Sequence, residues 1–123
     1  MRTTGFGGDR RTQRGMVTAE LAVATLAALA TMLLLSWGVY LMVMQVRCVD
    51  TAAEVARQAA RGDDAGVSRA KREAPAGTRV HISRTESLVR VEVRLLARPL
   101  ASTLVAVPLH AEAEVVPEPE KPS

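Results

Sequence analysis

The stretch Gly15–Val46, GMVTAELAVATLAALATMLLLSWGVYLMVMQV, decides how the rest of the chain is arranged. After Glu20 it runs from Leu21 to Val46, 26 residues, without a charged side chain. Wound as a helix, that run extends about 39 Å. The hydrocarbon core of a bilayer is about 30 Å thick and takes about 20 apolar residues to cross. The run is therefore long enough to span, and it exceeds the roughly 7–15 apolar residues of a secretory signal peptide. Residues 16–46 are expected to form a transmembrane helix.

On the N-terminal side, residues 1–15 (MRTTGFGGDRRTQRG) hold Arg2, Arg10, Arg11 and Arg14 against one acid, Asp9. The whole chain of 123 residues carries 16 Lys+Arg and 13 Asp+Glu, a net charge of +3. The leader alone accounts for that excess, leaving 12 basic and 12 acidic groups in residues 16–123. The basic balance is thus a property of the leader. With Phe6, Trp37 and Tyr40 the only aromatic residues, no base-stacking platform exists, and nucleic acid is not an expected partner. The leader has too little apolar content to bury a core and is expected to lack structure. Its arginines favour a cytoplasmic N-terminus, although Arg47, Arg57 and Arg61 follow the span closely enough to weaken the bias.

Glu20 is the one acid at the mouth of the apolar run. A carboxylate there is costly unless paired or neutralised, which makes it a functional candidate. It is also an acid in a first helical turn, where the macrodipole favours negative charge. Inside the run, Ala24 and Ala28 lie four apart among further small residues, a spacing that lets helix backbones approach closely. Trp37 and Tyr40 come near the end of the first 20 apolar residues and suit an interfacial aromatic belt, with Leu41 to Val46 then extending beyond the bilayer.

Beyond the span the helical period continues. Val49, Ala52, Ala53, Ala56 and Ala60 recur at helical spacing, so residues 47–62 are expected to extend the helix to a stop at Gly62. Asp63 to Gly66 reads as a loop and Val67 to Ala74 as a short amphipathic helix ending at Pro75. The period then switches to two. Val80 and Ile82 alternate with Arg79, His81 and Ser83, and Glu86-Ser87 is placed for a tight turn. Val89, Val91, Val93 and Leu95 then face one way, and Val107, Leu109, Ala111, Ala113 and Val115 repeat the pattern after a loop or short helix beyond Pro99. The expected fold class is α+β, with a long N-terminal helix and its outer extension packed on a small antiparallel sheet of three strands. Residues 63–116 form the small α/β headgroup and residues 117–123 a flexible tail.

No enzymatic constellation is found. His81 and His110 read as surface histidines on opposed polar strand faces, without Cys, Asp or Glu at metal-ligand spacing. Glu112 and Glu114 read as edge-strand charges that discourage aggregation. The single cysteine, Cys48, rules out an intramolecular disulfide within one chain; a small apolar role and an intermolecular bridge both remain open. No cofactor, metal or small-molecule substrate is expected.

Gly15, Met16 and then Glu20, five positions into the segment that follows the glycine, resemble the type III signal peptide of type IV prepilins. The full chain resembles the TadE-like minor pilins of tight-adherence (Tad/Flp) pilus systems. Val46-Arg47-Cys48-Val49-Asp50-Thr51-Ala52 through Ala59-Ala60-Arg61-Gly62 is similar to that family's post-membrane helix, and Ala74-Pro75-Ala76-Gly77-Thr78-Arg79-Val80 to its entry into the sheet. A proline often found in the family's transmembrane helix is absent here. The resemblance implies that prepilin peptidase cuts between Gly15 and Met16 on the cytoplasmic side, removing the basic leader with Arg10, Arg11 and Arg14. It implies that Glu20 balances the α-amino group of a neighbouring subunit during assembly. The partners so implied are the peptidase, other pilin subunits, the Tad assembly machinery and membrane lipid. The location is a single-pass cytoplasmic membrane protein with an extracytoplasmic C-terminal region, which can pass into a cell-surface pilus. The competing readings are a pseudopilin of a secretion system and a single-pass anchor whose outer domain binds a regulatory or envelope partner.

Overall fold

The structure is a computed structural model that describes residues 9–98 and 105–117, with side chains from Gln13 onward. The expected loop beyond Pro99, most of the leader and the tail after Pro117 lie outside the described residues. The architecture is α+β, in the order α1 (Asp9–Ala60), α2 (Asp64–Glu73), β1 (Arg79–Thr85), β2 (Leu88–Ala97) and β3 (Val107–Val115). The chain divides into two compact units, Met1–Trp37 and Gly38–Ser123.

The described part of the first unit is the N-terminal portion of α1. The helix begins at Asp9, seven residues before Met16, which corrects the expectation of an unstructured leader for Asp9–Gly15. Once a long helix is nucleated downstream, each added residue gains a hydrogen bond, and no proline interrupts this stretch. An 18-residue window of α1 has mean hydropathy 2.0 and none of it is buried. One helix near the N-terminus is thus long and apolar enough to cross a membrane. Its threonines fit such a setting: the hydroxyls of Thr18, Thr25 and Thr31 each donate to a carbonyl four residues back at 2.8 Å, leaving no unpaired O–H.

The second unit is built around the far end of α1. Gly62 ends the helix at φ 71°. The N–H of Gly62 donates to the Ala59 carbonyl and that of Asp63 to the Gln58 carbonyl, which together close off two of the helix's last carbonyls. A residue with a Cβ resists that left-handed conformation. Asp63, read from sequence as loop, is the N-cap of α2, its Oδ1 accepting from the N–H of Gly66 at 2.9 Å. The helix therefore starts at Asp64, three residues earlier than the apolar period indicated, because the cap rather than the first apolar residue sets its start. Pro75 to Gly77 then turns the chain, with the Thr78 N–H donating to the Pro75 carbonyl at 3.1 Å.

Glu86 and Ser87 form the two-residue connection between β1 and β2, with Thr85 facing Leu88 in register. The strands lie in the order β1-β2-β3, all antiparallel, so β2 is central and the other two are edges. Val89, Val91, Val93 and Leu95 of β2 join Ala111 of β3, Val67 and Ala70 of α2, and Cys48, Ala52, Val55, Ala56 and Ala59 of α1 in a single core. The α1 members recur at steps of three and four, so one stripe faces the sheet. Three of the five are alanines, whose single methyl groups let helix and sheet approach closely. The side chain of Gln45 extends the attachment, donating to the His110 carbonyl at 2.9 Å.

The outward face of the sheet is polar and ordered by charge. Arg90 bridges Glu112 at 2.9 Å and Glu114 at 2.5 Å on β3, so the two glutamates bracket a cation. Glu92 accepts from Arg94 and lies 3.1 Å from His110 Nε2. His81 faces Glu92 in register, which corrects the opposed placement of the histidines: His81, Glu92 and His110 share one face. The Arg94 hydrogen bond, with a smaller contribution from His110, holds Glu92 below the usual carboxylate range. A depressed carboxylate contributes stability above its unfolded pKa and loses that contribution as pH falls through its folded pKa.

Two outcomes follow. Leu95, 4% exposed, should on replacement by alanine destabilise the sheet-bearing unit by about 2–5 kcal/mol, measured by denaturant unfolding of the protein in detergent. The melting temperature of Glu92→Gln should lie below that of the native chain at neutral pH. The two should converge as pH falls from about 5 to about 3. A gap that widened on acidification would contradict the assigned role of Glu92.

Candidate functional site

Gly15, Met16 and Glu20 all lie on α1, in the unit that contains no sheet. Met16 and Glu20 are four apart and share a helix face; Gly15 lies away from Glu20 around the helix. Arg14, six residues before Glu20, is out of phase with it. The backbone of Arg10 and Arg11 is helical, whereas their side chains lie outside the described residues.

Gly15 has no structural reason to be glycine. A Cβ built there meets nothing within 4 Å, and the residue sits inside a regular helix. Glycine in a helix interior costs roughly 0.5–1 kcal/mol relative to alanine, so its effect here is to weaken the helix locally.

Glu20 is exposed and makes no hydrogen bond or ion pair among the described residues. The positions three and four away on either side are Met16, Val17, Val23 and Ala24, none of which can pair with a carboxylate. None of the described residues supplies its partner, so the carboxylate is left to water, a headgroup or a second subunit there. Immediately above it the helix presents Leu21 and Leu26, each 67% exposed, and the run of exposed leucines continues to Leu35. An apolar surface of that extent is normally covered by lipid or protein. Ala24 and Ala28 lie within it, one turn apart and exposed.

Cys48 is settled by burial. It is 0% exposed in the core between helix and sheet, and burial pushes its thiol pKa up. An intermolecular bridge requires an accessible sulfur, so the small apolar role is the one this fold supports. Maleimide should leave Cys48 unlabelled in the folded protein and label it fully after unfolding; labelling at equal rates in both states would contradict the packing described. Among the described residues, no group of three or more His, Cys, Asp or Glu could hold a metal ion.

One grouping was invisible in the sequence. Arg47, Arg79, Arg94 and Arg98 are spread over 52 residues, yet line one groove of the sheet-bearing unit. No spacing rule connects them; antiparallel pairing and the helix–sheet contact bring them together. No family model, curated protein or solved structure matches the chain.

Proposed function

We propose that this chain is a minor pilin or pseudopilin of a tight-adherence pilus, a non-enzymatic structural subunit that serves pilus assembly and adhesion. The observation that carries the reading is the pairing of two residues the fold does not account for. Gly15 weakens a helix that has room for a side chain there, and Glu20 stands unpaired at the head of an exposed apolar segment.

In this reading α1 crosses the cytoplasmic membrane with its N-terminus inside and the sheet-bearing unit outside. The helix unwinds locally at Gly15, and prepilin peptidase hydrolyses the bond between Gly15 and Met16. The arginines of the leader, which hold the flank in the cytoplasm, leave with it. The new chain begins with the α-amino group of Met16, five residues from Glu20. When subunits leave the bilayer and pack helix against helix, burying an unpaired carboxylate would be costly. Pairing it with a neighbour's α-amino group removes that cost and fixes the axial register between subunits. The small side chains around Ala24 and Ala28 let those helices come close. Cleavage and assembly thus use different residues of one segment.

N-terminal mass analysis of membrane-extracted protein, with and without the peptidase, tests the first step. The native chain should begin at Met16 when the peptidase is present and at Met1 when it is not. Gly15→Leu should remain uncut, whereas Glu20→Ala should be cut but fail to enter pili. An intact Met1 start in the presence of peptidase, or normal pilus entry by Glu20→Ala, would overturn the proposal. Unchanged size and function of Gly15→Leu would point instead to a single-pass anchor whose outer unit binds an envelope partner.

A further inference from the structure

Four guanidinium groups surround one end of the sheet-bearing unit. Arg47 is the first charged residue after the apolar run, Arg79 opens β1, Arg94 lies near the end of β2 and Arg98 just past it. With Tyr40 and Met44 they line an open groove of about 1070 Å³, and no carboxylate is among its described lining residues. Arg94 is paired with Glu92 on the outward face. Arg47, Arg79 and Arg98 are exposed and make no ion pair among the described residues. Arg79 and Arg94 are direct cross-strand partners, an unfavourable like-charge placement; Glu92 pairs with Arg94, which leaves Arg79 as the cation of the two without a carboxylate.

The same compact unit shows what kind of anion fits. Directly before Arg47, α1 presents Val39, Met42, Val43 and Val46 to the outside, from 45% to 73% exposed. An exposed apolar helical segment therefore runs into a collar of arginines, three of which, Arg47, Arg79 and Arg98, make no ion pair among the described residues, with Tyr40 lining the same groove. The exposed apolar surface runs on to Val46, past the belt expected at Trp37 and Tyr40, so the order of surfaces is the one met on leaving a bilayer: hydrocarbon, then interface, then phosphate. A soluble anion site would not need the apolar segment beneath it.

We propose that Arg47, Arg79 and Arg98, with Arg94 beside them, bind the phosphate groups of anionic lipids at the bilayer face where α1 emerges. The collar seats the outer unit against the membrane and selects anionic over zwitterionic lipid. This rests on the membrane-spanning reading of α1 and is independent of pilus assembly.

Trp37, the sole tryptophan, lies ten residues before Arg47 on α1 and serves as an energy-transfer donor. Full-length protein is reconstituted in phosphatidylcholine nanodiscs carrying either dansyl-phosphatidylglycerol or dansyl-phosphatidylcholine as a minor lipid. Transfer from Trp37 should be stronger to the anionic probe. The combined Arg47→Gln, Arg79→Gln and Arg98→Gln variant should lower that preference by about tenfold or more, since each surface arginine contributes about fivefold. The corresponding lysine variant should retain most of it. Arg10→Gln, Arg11→Gln and Arg14→Gln should leave it unchanged, because even Arg14 lies about 35 Å from Trp37 along the helix. Equal transfer to both lipids in the native chain would overturn the collar while leaving the span intact; no transfer to either would overturn both. Loss of the preference on adding inorganic phosphate at constant ionic strength would identify a soluble-anion site and also overturn the proposal.

Discussion

The contact between the far end of α1 and the central strand holds the sheet-bearing unit together. Cys48, Ala52, Val55, Ala56 and Ala59 form a stripe with little side-chain bulk, and β2 sets Val89, Val91, Val93 and Leu95 against it. A three-stranded sheet with one apolar face is marginal in water by itself. The helix supplies the missing second layer, and α2 adds Val67 and Ala70 at its margin. Fully burying a valine or leucine side chain stabilises by about 1.5–3 kcal/mol, so four such residues on one strand make β2 the element whose loss the unit could least withstand.

This contact also explains how charge is distributed. Because the inner face of the sheet is committed to the helix, Arg90, Glu92, Arg94, His110, Glu112 and Glu114 must all face outward, where they form two small networks. Exposed pairs of this kind contribute little individually. Their more secure effect is on register, since a one-residue slip of β3 would turn its acids into the core and its alanines to solvent. The two edges of the sheet are treated differently: β3 carries acids bonded to Arg90, whereas β1 carries Arg84, next to its last residue, which reaches Asp64 of α2 at 3.3 Å.

The N-terminal portion of α1 obeys another logic. From Gln13 to Ser36 every residue is exposed among the described residues, so these side chains answer to something other than a packed core. Threonines there are satisfied by their own backbone, and the leucines are left bare. Gly15 and Glu20 stand out for the same reason: in a segment without internal contacts, a helix-weakening residue and an unpaired acid are not explained by folding. Arg47, Arg79 and Arg98 are a third case, cations gathered by the fold and left without ion pairs within the described residues.

Much of this was legible from residue order. A 26-residue uncharged run dictates a long exposed helix, a period of 3.6 carries it on past Arg47, and a period of two yields the strands around Glu86-Ser87. Gly15 and Glu20 were likewise visible, because a motif on one helix is local in sequence. The start of α2 was misplaced because a capping side chain outweighed the apolar period, and the leader's helix was missed because propagation from a stable helix overrides weak local composition. Tertiary structure alone decided the fate of Cys48, the shared face of His81, Glu92 and His110, and the meeting of Arg47, Arg79, Arg94 and Arg98. Each depends on which strands pair and which helix face they cover, and such contacts between distant residues leave no periodic trace in the chain.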